Sequence, residues 1–400
     1  MKSLREQALD LHKELKGKLD VQTKIQVETI EDLSLAYSPG VAEPCIEIKN
    51  DANSVYDYTM KGNLVGVVTD GTAVLGLGDI GPEAALPVME GKALLLKRFA
   101  NVDAFPICLD TKDPEEIVQV VKAISPTFGA INLEDISAPR CFIIEERLRE
   151  ECNIPVFHDD QHGTAIVVGA GILNALKIVN KNIKDVRIVI NGAGAAGISV
   201  LRLLRDLGFE HLIVCDSNGI IHRNREHGMN SMKERIAKFS NLDGLEGKLE
   251  DALKGADIFI GVSAANVLTE EMIQSMKENP IVFALANPNP EISYENAIKW
   301  GVRIIATGRS DYPNQINNML AFPGIFRGAL DVRASDINEE MKLAAVNAIA
   351  SIITEKDLIE GRIVPEIFDM RVTETVAEAV KLAAISTGVA RLKQEKEIEI

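Results

Sequence analysis

The chain is expected to adopt an α/β fold of two domains built on parallel sheets, the second a Rossmann-type doubly wound dinucleotide-binding domain. Three observations lead there. Short apolar, β-rich runs alternate with helix-length stretches, the signature of parallel strands joined by crossover helices. The 400 residues suffice for two cores at about 150 residues per domain. One glycine-rich turn, Gly192 to Gly197, stands between a strand pattern and a helix pattern, where a dinucleotide-binding unit carries it.

In chain order, strands are expected at 63–70, 102–110, 128–134 and 154–157, then at 186–190, 211–216, 257–263, 281–288 and 303–308. These runs are rich in Val, Ile, Leu and Phe without a polar alternation, as strands covered on both faces are. Helices are expected over PEAALPVMEGKALLLKRF, over 163–180, over ISVLRLLRDLG, and at 335–355 and 371–386, followed by a tail of solvated charge, RLKQEKEIEI. The helix at 163–180 leads into a fresh strand at 186. A boundary is therefore placed near 160, giving a substrate and catalytic domain at 1–160 and a dinucleotide-binding domain with C-terminal helices at 161–400.

Composition excludes several classes of function. Lys and Arg number 43 against 59 Asp and Glu, a formal net charge of −16 that repels phosphate backbones and anionic membranes. Nucleic acid and membrane are not expected partners. The longest uncharged apolar stretch, Gly163 to Leu176, is shorter than the roughly 18 to 20 residues of a membrane span. The N-terminal segment has no apolar signal core, and its Glu6, Asp10 and Glu14 argue against a presequence. Five scattered cysteines with no C-x-x-C pair (Cys45, Cys108, Cys141, Cys152, Cys215) fit mostly buried packing roles in a reducing compartment, so the cytoplasm is expected. No repeat period is present.

Two segments match G-x-G-x-x-G. In the second, VRIVI closes on Gly192, Ala193, Gly194, Ala195, Ala196 and Gly197, a helix follows, and HLIVCD ends on Asp216, 24 residues past Gly192. Backbone N–H groups of such a turn hold a pyrophosphate, and the carboxylate accepts the ribose 2′-OH. Asp216 favours NAD, while His222, Arg223 and Arg225 lie near enough downstream to meet the 2′-phosphate of NADP. The first match, Gly76 to Gly81, lacks the acidic residue about 20 positions on, and is read as a substrate-domain loop.

Glu134 and Asp135 follow one strand and Asp159 and Asp160 another, at the strand ends where open α/β sheets collect ligands. Hard oxygen ligands suit Mg²⁺ or Mn²⁺. Neighbouring strand residues point to opposite faces, so Glu134 and Asp135 share an ion only if the chain leaves β geometry there. The alternative is solvated or helix-capping carboxylates. His158 and His162 flank the second pair, but zinc lacks a third soft ligand. Lys92 has Val88, Met89, Leu95 and Leu96 as helical neighbours. It is either a snorkelling lysine or a desolvated amine whose lowered pKa suits a general base. Tyr37 lies before a Pro-Gly turn and reads as a packing anchor or, in suitable company, an acid.

Taken together, SLAYSPGVAEPC, VVTDGTAVLGLGDIG, MEGKALLLK, INLEDI, VFHDDQHGTA, INGAGAAG, FALANPNPEI and ATGRSDYPNQINNMLAFPG resemble the malic enzyme family, in its short bacterial branch, from about residue 10 to about 385. The resemblance implies metal-dependent oxidative decarboxylation of L-malate to pyruvate and CO₂ with reduction of NAD, NADP being possible, a Mn²⁺ or Mg²⁺ ion, and a homodimer. By carry-over, Tyr37 is the general acid, Lys92 the general base and Asp159 the partner of the lysine. Glu134, Asp135 and Asp160 are the metal ligands, and Gly192 to Gly197 with Asp216 hold the dinucleotide. Asn287 and Asn318 lie by the nicotinamide and the substrate carboxylate. Longer family members carry an arginine after the T-D-G block, where this chain has Thr72, Ala73 and Val74, leaving Asn287, Asn318 and Arg309 for the second carboxylate. Two other readings use the same residues: a malolactic-type enzyme retaining NAD and releasing lactate, and a non-catalytic dinucleotide sensor.

Overall fold

The computed structural model describes residues 2–74 and 76–392, so most of the charged tail expected at 391–400 lies outside the described residues. Four helices open the chain: α1 (Leu4–Leu15), α2 (Ile30–Ala36), α3 (Ala42–Asn50) and α4 (Val55–Tyr58). A first set of crossovers follows, β1 (Leu64–Thr69), α5 (Pro82–Ala100), β2 (Asp103–Cys108), α6 (Pro114–Ile124), β3 (Ala130–Leu133), α7 (Arg140–Glu151) and β4 (Val156–His158). The strands form an all-parallel sheet in the order β2-β1-β3-β4. The chain steps from β1 to one side and then returns to the other, so the crevice of this sheet opens at the C-terminal ends of β1 and β3.

Helix α8 (Asp159–Val179) leaves this sheet and delivers the chain to a second one. There β5 (Arg187–Asn191), α9 (Ala195–Asp206), β6 (His211–Asp216), β7 (Gly219–Ile220), α10 (Ser231–Ile236) and α11 (Leu249–Leu253) precede β8 (Ile258–Gly261), α12 (Glu270–Gln274), β9 (Ile281–Ala284), α13 (Tyr294–Lys299) and β10 (Ile304–Thr307). The order β10-β9-β8-β5-β6-β7 is parallel except for β7 and reverses at β5, which is the doubly wound arrangement. Strand alternation divides the core. Ile188 and Ile190, Ile258 and Ile260, and Ile281 and Phe283 face the main apolar cluster, whereas Val189, Phe259 and Val282 face a smaller one on the opposite side, as a two-residue period requires.

The C-terminal helices are α14 (Phe322–Asp331), α15 (Glu339–Ser351), α16 (Glu355–Ile359) and α17 (Arg371–Ser386). α15 packs on α8, while α14 and α17 pack on each other and return to α5 beside the first sheet. Each of the nine expected runs overlaps a strand, most of them trimmed at the ends, while β4 and β5 run one residue past the expected limit, and α17 has its expected bounds. The helix expected at 335–355 is shorter, since Asn338 caps α15 at its start and the chain leaves it after Ser351, Thr354 then opening α16 with its own capping box. α8 begins at Asp159 rather than 163. Its first turn holds Asp159 and Asp160, where negative side chains meet the positive helix end. Long enough to cross a bilayer, α8 has 67% of its most apolar window buried within the protein and is a core helix.

Candidate active site

The end of β3 builds the carboxylate cluster. Glu134 N–H bonds the Val68 carbonyl at 2.9 Å, continuing the ladder, and Asp135 then turns to φ +54°. That departure from β geometry swings its side chain to the same side as Glu134. The Asp135 N–H donates to Asp160 Oδ2 at 2.7 Å, tying the loop to the first turn of α8. Glu134, Asp135 and Asp160 each present an oxygen within 4.8 Å of the others. The loop is braced from below. Ala73 N–H donates to the Asp135 carbonyl at 2.9 Å, and Thr72 Oγ1 accepts from Ser137 N–H at 3.0 Å. Arg140 donates to Asp70, Thr72 and Ser137, at 3.0 Å each.

Lys92, on α5, is 8% exposed and does not snorkel. Its Nζ lies 2.6 Å from Asp159 Oδ2 and 2.9 Å from Glu134 Oε1, over the Phe322 ring at 4.5 Å from the centroid. Asn318 Nδ2 donates to Asp159 Oδ2 at 2.5 Å, and Asn132 Nδ2 to Glu134 Oε2 at 2.8 Å. Asp159 is fully buried. A Cβ on Gly163 would come within 2.0 Å of its Oδ1, so only glycine lets the second α8 turn pass this carboxylate.

Electrostatics here correct one expectation. Burial alone lowers the pKa of Lys92, but Asp159, Glu134 and Asp160 outweigh it and raise the amine above an ordinary lysine. Four carboxylates and one ammonium leave an excess of negative charge. Burial pushes Glu134 and Asp159 up to about 7 despite Lys92, and raises Asp160 too. Such a pocket, with three oxygens converging and no thiol, has the donor set of a hard divalent cation whose charge would balance it. The two histidines do not complete a zinc site. His162 Nε2 pairs with Glu145 at 2.6 Å, and His158, whose Nδ1 lies 3.8 Å from Asp160, places no nitrogen in the converging set of Glu134, Asp135 and Asp160.

The glycine-rich turn Gly192 to Gly197 lies at the reversal point of the second sheet. Gly192 has φ +132°, and a Cβ on Gly197 would sit 1.8 Å from the Gly192 carbonyl, so both positions require glycine. Gly194 precedes α9 with no side-chain cap, leaving first-turn N–H groups for an anion, while Ala193, Ala195 and Ala196 stay partly accessible. Asp216 ends β6 as expected, but it is not an open acceptor. Arg225 Nη2 lies 2.6 and 2.8 Å from its two oxygens and Lys233 Nζ 2.7 Å away. Burial opposes its charge, and these cations more than offset that, holding its carboxyl below the usual range. His222 and Arg223 make other contacts, to Glu246 and the Lys238 carbonyl.

Asn287 follows β9 and is exposed. The first glycine motif forms a loop between β1 and α5, and it abuts this end of the second sheet, the Asn287 carbonyl lying 3.0 Å from the Cβ position of Gly76. Arg309 is bidentate to Asp311, at 2.8 and 2.7 Å. Tyr37 caps the C-terminus of α2 at 68% exposure and, among the described residues, forms no hydrogen bond to the Lys92 cluster. Sequence reasoning missed Asp70, Asn132, Arg140, Phe322, Lys233 and Glu291. Glu291 is buried and accepts from Ser263 N–H at 3.1 Å and Ala286 N–H at 3.0 Å, bracing the ends of β8 and β9. Asp70 carried the same strand-end signal as Glu134; the others carry no local signal.

Residues 16–149 match the family model described as malic enzyme, N-terminal domain, and residues 161–385 that of malic enzyme, NAD binding domain. The bifunctional malic/malolactic enzyme of Bacillus subtilis is 61% identical over 99% of this chain and 96% of its own length. The NAD-dependent malic enzyme of Geobacillus stearothermophilus is 60% identical, covering 94% and 78%. The NADP-dependent malic enzyme of Escherichia coli is 52% identical over 97% of this chain, which spans 53% of that relative. A crystal structure of NAD-dependent malic enzyme from Thermotoga maritima superposes with a TM-score of 0.91 at 52% identity, covering 94% of this chain and 98% of that one.

Proposed function

Since this chain belongs to the malic enzyme family, we propose that the Lys92 and carboxylate cluster is where it acts on L-malate, with residues 1–160 as the catalytic domain and 161–400 as the dinucleotide-binding domain. The activity is oxidative decarboxylation of L-malate to pyruvate and CO₂ with reduction of a nicotinamide dinucleotide. One observation carries the assignment of residues: a buried lysine held between Asp159 and Glu134, beside three converging carboxylates.

A divalent cation on Glu134, Asp135 and Asp160 would supply Lewis-acid polarisation of the substrate oxygens and the positive charge against which Lys92 gives up its proton. The Gly192 to Gly197 turn, with Asp216 towards the ribose, would hold a nicotinamide dinucleotide, which would supply the hydride acceptor. Lys92 accepts the C2 hydroxyl proton. Asp159, oriented by Asn318, keeps the amine aimed and returns its charge balance. Tyr37 donates a proton to C3 after CO₂ has left, and Asn287 and Asn318 hold the substrate carboxylate and the nicotinamide in register. The buried pocket excludes water from the charge that develops.

A homodimer belongs to this reading. α1, α2 and α3 bury none of their residues, and Leu4, Val21, Ile30 and Leu35 are 73% exposed or more. An apolar surface of this kind needs cover, which a second copy supplies through a self-complementary contact. Tyr37 belongs to the same face and reaches a cluster when that copy docks. The five cysteines are free, Cys141, Cys152 and Cys215 being buried, which fits a reducing cytoplasm.

The test is nicotinamide reduction followed by absorbance with L-malate and Mn²⁺, comparing NAD⁺ and NADP⁺ and assaying pyruvate and lactate in the same tubes. Reduced cofactor in step with pyruvate supports the reading. The Bacillus subtilis relative's malolactic name gives the second one: lactate without net reduction would establish it. No turnover of malate removes both.

A further inference from the structure

A cavity of about 560 Å³ lies among α7, α8, α9, α10 and α15 and shares no residue with the carboxylate cluster or the glycine turn. Its apolar wall is formed by Phe142, Ala165, Ile166, Leu203, Met232 and Phe239. Three polar groups on it are unusual. Arg202 forms no ion pair with a carboxylate among the described residues; its guanidinium rests on Met232 Sδ at 2.9 Å, a weak acceptor. Ser199, one turn before it on the same helix face, and Gln161 on α8 are 4% and 1% exposed. Ser199 Oγ and Gln161 Nε2 have no hydrogen-bond partner among the described residues. Buried polar groups are rarely left so. Of the six acidic residues around the cavity, Asp336 is held by Arg149 at 2.8 Å, Glu339 by Lys342 at 2.8 Å, Glu145 by His162 at 2.6 Å, Asp206 by Arg205 at 3.1 Å and Glu146 by Arg235 at 4.0 Å, while Glu150 is exposed to solvent.

We propose that this cavity binds a small organic anion, an acid group on a compact apolar body, with Arg202 taking the charge, Ser199 and Gln161 its hydrogen bonds, and the apolar wall the body. The site is a regulatory one by position. Gln161 follows the cluster carboxylate Asp160 directly, and Ser199 lies in the helix that the glycine turn opens. An anion that settles α8 against α9 therefore shifts the affinity for dinucleotide, and the dinucleotide shifts the affinity for the anion by the same factor.

The experiment is titration calorimetry of the full-length protein with phenyl phosphate, phenylacetate and, as a neutral control, benzyl alcohol, with and without saturating NAD⁺. At least one anion is expected to bind and the alcohol not. Arg202→Gln should weaken binding roughly 10- to 100-fold, the loss of a charge-assisted hydrogen bond. Arg202→Lys should restore part of it, and malate turnover without probe should be unchanged in both variants. Binding of phenyl phosphate alone identifies a phosphorylated ligand, and of phenylacetate alone a carboxylic acid. Absence of heat at millimolar probe, or equal affinity in wild type and Arg202→Gln, overturns the site. Binding that ignores NAD⁺ overturns the coupling. None of these outcomes depends on which residues perform the chemistry on malate.

Discussion

Replacing Asp216 by Ser should move cofactor preference towards NADP by about two orders of magnitude. The wild-type carboxylate does two things. Its charge would repel a 2′-phosphate, and it occupies Arg225 and Lys233 at 2.6 to 2.8 Å. Both cations are largely desolvated, at 8% and 17% side-chain exposure, so a phosphate reaching them meets little competition from water. Removing the carboxylate deletes one repulsion and frees both donors. A hydrogen bond to a charged group is worth about 1.5 to 3 kcal/mol net. One such bond gained by the 2′-phosphate, with the carboxylate's repulsion removed, puts the expectation at the upper end, roughly 3 kcal/mol or about 10²-fold. The assay is kcat/KM for NAD⁺ and NADP⁺ at saturating L-malate and Mn²⁺. Lys233→Gln is the companion variant, expected to shift preference the other way. A ratio unchanged in both would show that some other element decides, and the Asp216 argument would fall.

Lys92→Ala should lower kcat by at least about 10²-fold with dinucleotide affinity little changed, since loss of a general base costs 10² to 10⁴; a near-wild-type rate removes Lys92 from the mechanism. Asp160→Ala should weaken Mn²⁺ binding in calorimetry, and an unaltered isotherm would sink that ligand. Gly163→Ala puts a methyl 2.0 Å from Asp159 Oδ1 and 2.9 Å from the Asn318 Cβ, so kcat should drop because Lys92 loses its aim; wild-type kinetics would mean that α8 yields freely. Glu134 and Asp159 are raised to about 7. Folding therefore favours their protonated forms, an advantage present below the unfolded carboxylate pKa and lost as pH rises towards 7. Mn²⁺ should raise Tm more at pH 8 than at pH 5.5. An equal gain at both pH values contradicts the cluster's excess of negative charge.

How much of this was legible from sequence depended on distance along the chain. The strands and the Gly192 turn could be read because apolar runs and glycines are local signals. The condition for Glu134 and Asp135 to share a cation could be stated in advance, and the φ of Asp135 meets it. What could not be read were partners supplied from far away. Phe322 and Asn318 reach Lys92 and Asp159 across more than 150 residues. No periodicity around Lys92 announces three carboxylates, which is why burial alone suggested a lowered pKa and the structure reverses the direction. Arg225 was named as close to the 2′-phosphate position, but its closure onto Asp216 depends on a turn that composition does not specify.

These long-range partners also explain why the cluster sits where it does. Each sheet reverses its strand order once, at β1 for the first and β5 for the second, and each reversal opens a crevice at strand C-termini. α8 joins the two sheets, and its first turn carries Asp159 and Asp160 out of the first crevice. α14 returns from the second sheet to pack on α5, placing Phe322 over the Lys92 ammonium. Lys92 is thus buried by both halves of the chain at once. Its aim requires α5, α8 and the turn before α14 to be docked together, so a loosened contact between α14 and α5 should reach the chemistry before it reaches the dinucleotide turn.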